Sequence, residues 1–253
     1  MKISLFVLLF LFPTILFFHL EYESVYSSLR QPIVLTPMTP LESKKLNSDI
    51  QKILPQWRKK FEKFGHKYNV PWTLVASVAY QESKWDNEAQ SYTGVRGLMQ
   101  ITAATAEHIG IDDREDATQS IQGGSYYLRY LYEKSPKYLS SSDRWIQALA
   151  GYNIGWAHLR DVHRLARAKH MNAYRWENLK KLLPLKAEEK YRKYFSFGLA
   201  RGNETVDFVE SVIGYYQILN IRFPERSFKQ RTIASITTPI QSPTQQSQTS
   251  LNF

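Results

Sequence analysis

The sequence contains no cysteine among its 253 residues. This absence excludes disulfide frameworks, thiolate zinc sites, cysteine nucleophiles and a lipid anchor on an N-terminal cysteine. The 11 glycines and 11 prolines follow no short period and no segment recurs along the chain, which excludes collagen-like, propeller and helical-array architectures. What is present is 43% hydrophobic and 14% aromatic residues, enough to bury the core of one main domain.

Positive charge is spread along the chain. The net charge is +10 overall and +7 between residues 48 and 227, but no arginine-rich block or nucleic-acid motif accompanies it, so we expect no nucleic-acid partner. An excess of this size also suits an anionic lipid or an acidic polymer such as a cell wall. Charge alone does not choose between these two.

The first 20 residues have the composition of an export signal. Lys2 precedes an apolar run from Ile3 to Leu20, which is short for a membrane-spanning helix and long for the core of a cleaved signal peptide. Signal peptide and membrane anchor therefore both stay open for residues 1–20. In either case we expect export to the periplasm, with the membrane as a partner if the segment is retained.

Two further segments are predicted to lie outside the folded domain. Residues 21–47 contain Pro32, Pro37 and Pro40 among polar residues and are predicted to be a linker. Residues 228–253 are predicted to be a disordered tail, because from Thr232 onward they carry no charged side chain and consist mostly of Ser, Thr, Gln and Pro.

Residues 48–227 show helical spacing of apolar residues almost throughout. Leu54, Trp57, Phe61 and Phe64 lie three or four residues apart, and Pro71 suits the first turn of the next helix. Strand signals are weak, so the predicted fold is all-α with long connecting loops. The predicted helices are residues 54–67, 71–83, 103–108, 117–133, 144–153, 157–168, 176–182 and 204–220.

Glu82 lies on the apolar face of the predicted helix 71–83, four residues after Val78 and seven after Val75. A carboxyl group in that position loses hydration, which raises its pKa toward the range that a general acid needs near neutral pH. The alternative is an ordinary glutamate at a helix end whose side chain turns to solvent. Periodicity alone leaves both interpretations open.

Two other segments are candidates for the same site. The loop at residues 81–100 reads QESKWDNEAQSYTGVRGLMQ, and its Gly94 and Gly97 allow close approach of the backbone. About fifty residues later, GYNIG places Tyr152 and Asn153 between two glycines. Taken alone, Tyr152 is more typical of a packed core residue than of a catalytic partner.

Together these motifs resemble a known signature. Glu82-Ser83, then Ser91-x-x-Gly94-x-x-Gly97-Leu98-Met99-Gln100, then Tyr152-Asn153 resemble the soluble lytic transglycosylase catalytic domain of lytic transglycosylase family 1 (glycoside hydrolase family 23), which is related to goose lysozyme. The resemblance covers about residues 50–222 and is greatest to the catalytic module of the F-type membrane-bound enzymes. It implies a lysozyme-like helical domain with a substrate cleft.

The resemblance also implies a reaction. The family cleaves the β-1,4 bond between N-acetylmuramic acid and N-acetylglucosamine in peptidoglycan strands, and the C6 hydroxyl of the muramic acid attacks C1 to form a 1,6-anhydro ring. Glu82 is implied to act first as acid and then as base, without metal or cofactor. The substrate contacts implied by motif position are Ser91, Met99, Gln100, Tyr152, Asn153 and Glu204.

Structural roles stay open for several of these residues. Ser91 could cap a turn, Met99 could fill the core, and Glu204 could favour the start of the last helix. Tyr152 is implied to form a hydrogen bond near Glu82 and tune its proton, and Asn153 to brace the loop. Two other functions are also consistent with the sequence: a hydrolytic goose-type muramidase, and a non-catalytic peptidoglycan-binding scaffold for cell-wall or secretion machinery.

Overall fold

The computed structural model describes residues 38–224. This part of the chain forms nine α-helices, two short 3-10 helices and no extended strand, which confirms the all-α prediction. The α-helices are α1 (Pro40–Lys52), α2 (Leu54–Tyr68), α3 (Trp72–Ser83), α4 (Ala103–Ile109), α5 (Ala117–Lys134), α6 (Ser141–Ile154), α7 (Trp156–Ala168), α8 (Trp176–Leu182) and α9 (Gly202–Arg222).

The ends of the chain are outside this range. The predicted export segment, residues 21–37 of the predicted linker and the predicted tail all lie outside the described residues. Between residues 38 and 224, no helix has both the length and the apolar composition that crossing a bilayer requires.

Helix α3 occupies the centre of the fold. All of its residues from Trp72 to Tyr80 are buried, and it packs against α2, α5 and α9. A helix enclosed on several sides needs apolar or small residues all round, and the sequence WTLVASVAY provides them. At its C-terminal end, Gln81 and Glu82 are partly exposed. The buried helix α3 therefore ends with Glu82 at the boundary between the core and the solvent.

Helix α1 corrects part of the predicted linker, because residues 40–47 are helical. Thr39 and Glu42 form a capping box in which the Thr39 N–H donates to Glu42 Oε2 at 2.9 Å and the Glu42 N–H donates to Thr39 Oγ1 at 3.2 Å. Pro40 stands in the first turn, where a missing N–H leaves no intrahelical bond unmade. Leu46, at 0% exposure, anchors the helix in the core. The proline that predicts a linker thus begins a helix.

The start of α9 depends on a glycine. A Cβ atom at Gly202 would lie 1.8 Å from the carbonyl oxygen of Leu183, so a side chain cannot be placed there without moving the backbone. Helix α9 begins at this glycine, two residues before the predicted start at residue 204. The residues ahead of it form the 3-10 helices Pro184–Ala187 and Glu189–Tyr194, which apolar spacing does not predict.

A buried ion pair fixes the segment that leads into α9. Lys186 Nζ lies 2.8 Å from Asp161 Oδ2, and both side chains are 0% exposed. Asp161 also accepts hydrogen bonds from the backbone N–H groups of Ser196 and Phe197, each at 3.0 Å. Lys186 donates a further hydrogen bond to the Gly198 carbonyl. These bonds hold the segment against α7.

His163 is a second buried titratable group on α7. Its Nε2 lies 2.8 Å from Gln147 Oε1, and the Gln147 amide in turn donates to the Ala173 carbonyl at 3.1 Å. Burial lowers the pKa of His163 from 6.5 to about 4, with a smaller contribution from Arg167. The fold therefore accommodates the neutral imidazole.

Acidification is expected to destabilise the domain through His163. The unfolded chain protonates this residue near pH 6.5 and the folded chain near pH 4, so its contribution to stability is present above pH 6.5 and is lost as the pH falls through that window. The loss reaches about 3 kcal/mol. Urea unfolding at pH 7 and pH 4.5 should show a smaller pH dependence in His163→Gln than in the wild type. Equal dependence in the two proteins would contradict the assignment.

Candidate active site

Glu82 is a half-buried carboxyl group in the last turn of α3. Burial raises its pKa from 4.5 to about 8, and the nearby positive charge of Lys84 lowers it by a smaller amount. Among the described residues, no side chain donates a hydrogen bond to this carboxyl group. Glu82 is therefore protonated at neutral pH and has its proton available for an incoming group, as a general acid requires.

The backbone directly after Glu82 is held in an unusual conformation. Lys84 and Trp85 both have positive φ angles, 55° and 62°, a region that costs about 1–3 kcal/mol for residues with a side chain. Trp85 is fixed by two hydrogen bonds: its Nε1 donates to the Ala76 carbonyl at 2.7 Å, and its own carbonyl accepts from Trp57 Nε1 at 3.0 Å. These two hydrogen bonds hold the sharp turn that the chain makes at Lys84 and Trp85, just beyond Glu82.

Ser83 joins the acid to the glycine-containing loop. Its hydroxyl lies 2.8 Å from the Leu98 carbonyl and 3.0 Å from the Ala79 carbonyl, and the side chain is buried. The first two motifs are thus in direct contact, and the residue after the acid makes that contact. Sequence reasoning places Ser83 in the motif but gives it no role.

Tyr152 packs beside Glu82 without donating a hydrogen bond to it. Its hydroxyl donates to the Met99 carbonyl at 2.8 Å, and its ring stacks on Phe208 at 6.3 Å and lies against Tyr127 at 5.6 Å. Burial raises the pKa of Tyr152, and the Glu82 carboxylate raises it further. The hydrogen bond that Tyr152 makes near Glu82 is thus to the Met99 carbonyl, and the two side chains influence each other's pKa when Glu82 is ionised.

Ser91 has a turn-forming role in the structure. Its hydroxyl accepts from the Val95 N–H at 3.0 Å and lies 3.1 Å from Thr93 Oγ1. Its backbone carbonyl accepts from the Gly94 N–H at 2.9 Å, and Gly94 adopts a φ of 79° that suits glycine. Ser91 therefore has the turn-forming role that the sequence left open, and its expected substrate contact stays a prediction.

Met99 and Gln100 also point into the protein. Met99 is 0% exposed and its side chain fills the space left by Gly124, where an added Cβ would lie 2.5 Å from the methionine methyl group. Met99 thus has the core-filling role that the sequence left open. The Gln100 amide donates to the Ala89 and Gly97 carbonyls at 3.0 and 2.9 Å.

Asn153 and Glu204 lie where α6 meets α9. Asn153 is exposed, and its Oδ1 accepts from the buried Thr205 hydroxyl at 2.7 Å. Glu204 pairs with Arg201 at 2.9 Å, and 57% of its side chain is exposed. It stands one helical turn before Phe208, whose ring stacks on Tyr152. Tyr152 is thus the expected residue that lies beside Glu82, and Thr205 is a contact of Asn153 that no sequence signal marks.

The described residues offer no metal centre. No group of three or more His, Asp or Glu side chains between residues 38 and 224 is arranged to hold an ion. At the candidate site itself, Glu82 is a carboxyl group with a raised pKa that lies beside the Tyr152 ring.

Comparison with known proteins gives one consistent family. The Transglycosylase SLT domain model matches residues 59–175. The membrane-bound lytic murein transglycosylase F proteins of Shewanella frigidimarina and Shewanella oneidensis are each 44% identical over 170 residues, which is 67% of this chain and 35% of theirs. Residues 59–175 of this chain are thus similar to the transglycosylase SLT domain. The chain spans about a third of the length of the curated relatives that it matches.

A solved structure has the same fold as this chain. The X-ray structure of an inactive mutant of lytic transglycosylase Slt from Pseudomonas aeruginosa matches with a TM-score of 0.50 at 19% identity, over 69% of this chain and 25% of that one. This likeness confirms the SLT-type helical fold. Of the expected site residues, Glu204 lies outside the part matched by the SLT model, and the others lie within it.

The positive charge of Lys84 is expected to lower the pKa of Glu82. Lys84 Nζ lies 4.7 Å from the Tyr80 ring centre and 5.0 Å from that of Tyr215, and it favours the ionised form of Glu82. In Lys84→Met the pKa of Glu82 should therefore rise further. Carboxyl-carbon NMR titration measures it, with Lys84→Arg as the charge-preserving control. A pKa that is unchanged or lowered in Lys84→Met would be inconsistent with this assignment.

Proposed function

We propose that this protein is a lytic transglycosylase that cleaves the peptidoglycan of the bacterial cell wall with Glu82 as its single acid and base. The observation that carries the proposal is the Glu82 carboxyl group, half-buried and with its pKa raised to about 8. Such a group holds its proton at neutral pH and can still release it to a bound substrate. The family of the SLT domain and the names of its relatives support the substrate class.

In the proposed reaction Glu82 acts twice. It first donates its proton to the oxygen of the β-1,4 bond between N-acetylmuramic acid and N-acetylglucosamine, and the bond from C1 to that oxygen breaks. The C6 hydroxyl of the same muramic acid forms a new bond to C1, and the Glu82 carboxylate removes the hydroxyl proton. The products are a free N-acetylglucosamine hydroxyl and a 1,6-anhydro end, and Glu82 is protonated again.

The electrostatics of the site favour a single-acid mechanism. Retaining glycosidases place a second carboxyl group about 5 Å from the acid, and at that distance each group raises the pKa of the other. Within residues 38–224, the charged side chain that perturbs Glu82 is Lys84, and no acidic side chain does so. An attacking hydroxyl on the substrate itself needs no second carboxylate, because its effective concentration is high.

The proposed substrate and location are consistent with charge and sequence. The net charge of +7 between residues 48 and 227 attracts a wall polymer that carries peptide carboxylates, and this attraction should weaken with salt. The apolar segment at residues 3–20 and the membrane-bound relatives support a periplasmic enzyme associated with the membrane.

Mass spectrometry of the sugar ends released by the full-length protein from purified peptidoglycan tests the proposal. Muropeptides that end in 1,6-anhydro-N-acetylmuramic acid are the expected products. Products heavier by one water, with reducing ends, would identify a muramidase instead. Sedimentation of the protein with the wall and no release of fragments would indicate a non-catalytic scaffold.

A further inference from the structure

A group of aromatic side chains lies on the surface of the domain beside α5. We call Tyr68, His108, Tyr126 and Tyr130 the outer aromatic surface. The Tyr126 ring lies 5.5 Å from Tyr68 and 6.4 Å from Tyr130, and the Tyr130 ring lies 5.4 Å from His108. Tyr126 and His108 are exposed, and Tyr68 and Tyr130 are half-buried. The four rings therefore form one continuous patch that solvent can reach.

Tyr68 and Tyr130 pack against the edge of the core, whereas Tyr126 and His108 face solvent. The face of α5 that packs inward consists of other residues, including Ile121, Leu128 and Leu131, all at 0% exposure. Tyr126 and Tyr130 are one turn apart on the opposite side of the helix, and Tyr126 is 40% exposed. A contiguous exposed aromatic patch of this kind indicates a binding surface.

The outer aromatic surface is continuous with the candidate active site. Tyr127 stacks on Tyr130 with ring centres 6.0 Å apart and planes at 20°, and it also contacts Tyr152 at 5.6 Å. Tyr152 in turn lies beside Glu82. An unbroken series of rings thus runs from the acid, across α5, to the exposed surface.

Positive charges border the outer aromatic surface. Lys67 Nζ lies 5.1 Å from the Tyr68 ring centre, and Lys134 Nζ lies 4.6 Å from that of Tyr130. Neither lysine forms a salt bridge with an acidic side chain in the described part of the chain. Ring faces offer apolar area to the C–H face of a sugar, phenol hydroxyls offer hydrogen bonds, and the lysines attract carboxylates.

We propose that the outer aromatic surface binds the continuing peptidoglycan strand outside the cleft, with the sugars on the rings and the peptide carboxylates near Lys67 and Lys134. The inference rests on the proposed function for the identity of the polymer. It adds a second binding area that holds a long strand while its bond at Glu82 is cleaved. The ring contacts that connect this surface to the candidate active site favour the strand over an unrelated protein partner, which would not need to bind close to the acid.

The test compares a long and a short substrate. In the full-length protein, Tyr126→Ser/Tyr130→Ser should raise the KM for intact peptidoglycan sacculi about tenfold and leave cleavage of a soluble peptidoglycan tetrasaccharide unchanged. Tyr138→Ser is the matched control, since Tyr138 is 79% exposed and its ring contacts Tyr174 instead of this surface. Circular dichroism and the melting temperature verify the fold of each variant.

Binding measured without turnover provides a second readout. In a Glu82→Gln background, the double tyrosine variant should bind sacculi about tenfold more weakly. Lys67→Gln/Lys134→Gln should make binding less sensitive to salt. Unchanged binding and unchanged KM, or equal losses on both substrates, would overturn the inference. If the wild-type protein cleaves neither substrate, it is the proposed function that fails.

Discussion

Replacing Glu82 by glutamine is expected to lower the rate of peptidoglycan cleavage by about 10³-fold or more. Glutamine has nearly the same shape but has no acidic proton to donate and cannot accept one from the sugar hydroxyl. Release of muropeptides from sacculi, followed by chromatography, measures the loss. Glu88→Gln is the matched control, because Glu88 is an exposed glutamate of the neighbouring loop. Retention of a tenth of the activity in Glu82→Gln would rule out the single-acid mechanism.

The same substitution is expected to stabilise the fold. Burial raises the pKa of Glu82 to about 8 from 4.5, so the folded chain keeps a proton that the unfolded chain releases, and stability falls as the pH rises from 4.5 to 8. Glutamine removes this penalty, which is about 3 kcal/mol at pH 7. If Glu82→Gln loses activity and has a higher melting temperature, Glu82 serves function at a cost in stability, whereas replacing a structural residue would lower the melting temperature.

Replacing Asp161 by asparagine is expected to destabilise the domain by about 3–5 kcal/mol. The change leaves the ammonium group of Lys186 buried without its counter-charge, and it weakens the two backbone hydrogen bonds that Asp161 accepts. Urea unfolding measures the loss as a lower midpoint with an unchanged slope. A loss below 1 kcal/mol would show that the pair has solvent access that the structure does not give it.

A double substitution and the pH dependence of stability test the same ion pair. The double substitution Asp161→Leu/Lys186→Met removes both charges, so it should cost less than Asp161→Asn alone. Burial raises the pKa of Asp161, but Lys186 and the backbone N–H groups outweigh this effect and lower it below 3.8. The contribution of the pair is therefore present above pH 3.8 and is lost as the pH falls below that value.

The helical part of the fold was largely predictable from sequence. Apolar spacing places α2, α3 and α5 to within about two residues of their observed bounds, because each buries a regular stripe or a continuous apolar stretch. Helix α1 was not predictable in this way, since few of its residues are apolar and a proline stands at its start. The capping box at Thr39 and Glu42 was the signal that could have revealed it.

The candidate site was predictable in its location and less so in its detail. The apolar neighbours of Glu82 left both a desolvated carboxyl group and a solvent-facing glutamate open, and burial raises the pKa of Glu82 in the structure. Motif order brings Ser91, Met99 and Gln100 to the same region, but spacing along a loop does not determine which way a side chain points. In the structure all three serve the backbone or the core. Contacts between distant segments, such as Asn153 with Thr205, depend on packing and leave no local pattern.

Helix α3 ends at Ser83, one residue beyond Glu82. The last turn of an α-helix carries a partial negative charge, about half an elementary charge, because its aligned peptide dipoles are uncompensated there. This field disfavours a carboxylate at Glu82 and favours a cation close by. In the proposed reaction, positive charge develops at the sugar carbon next to Glu82. In that reaction the backbone dipole of α3 would supply part of the stabilisation that other glycosidases obtain from a second carboxylate.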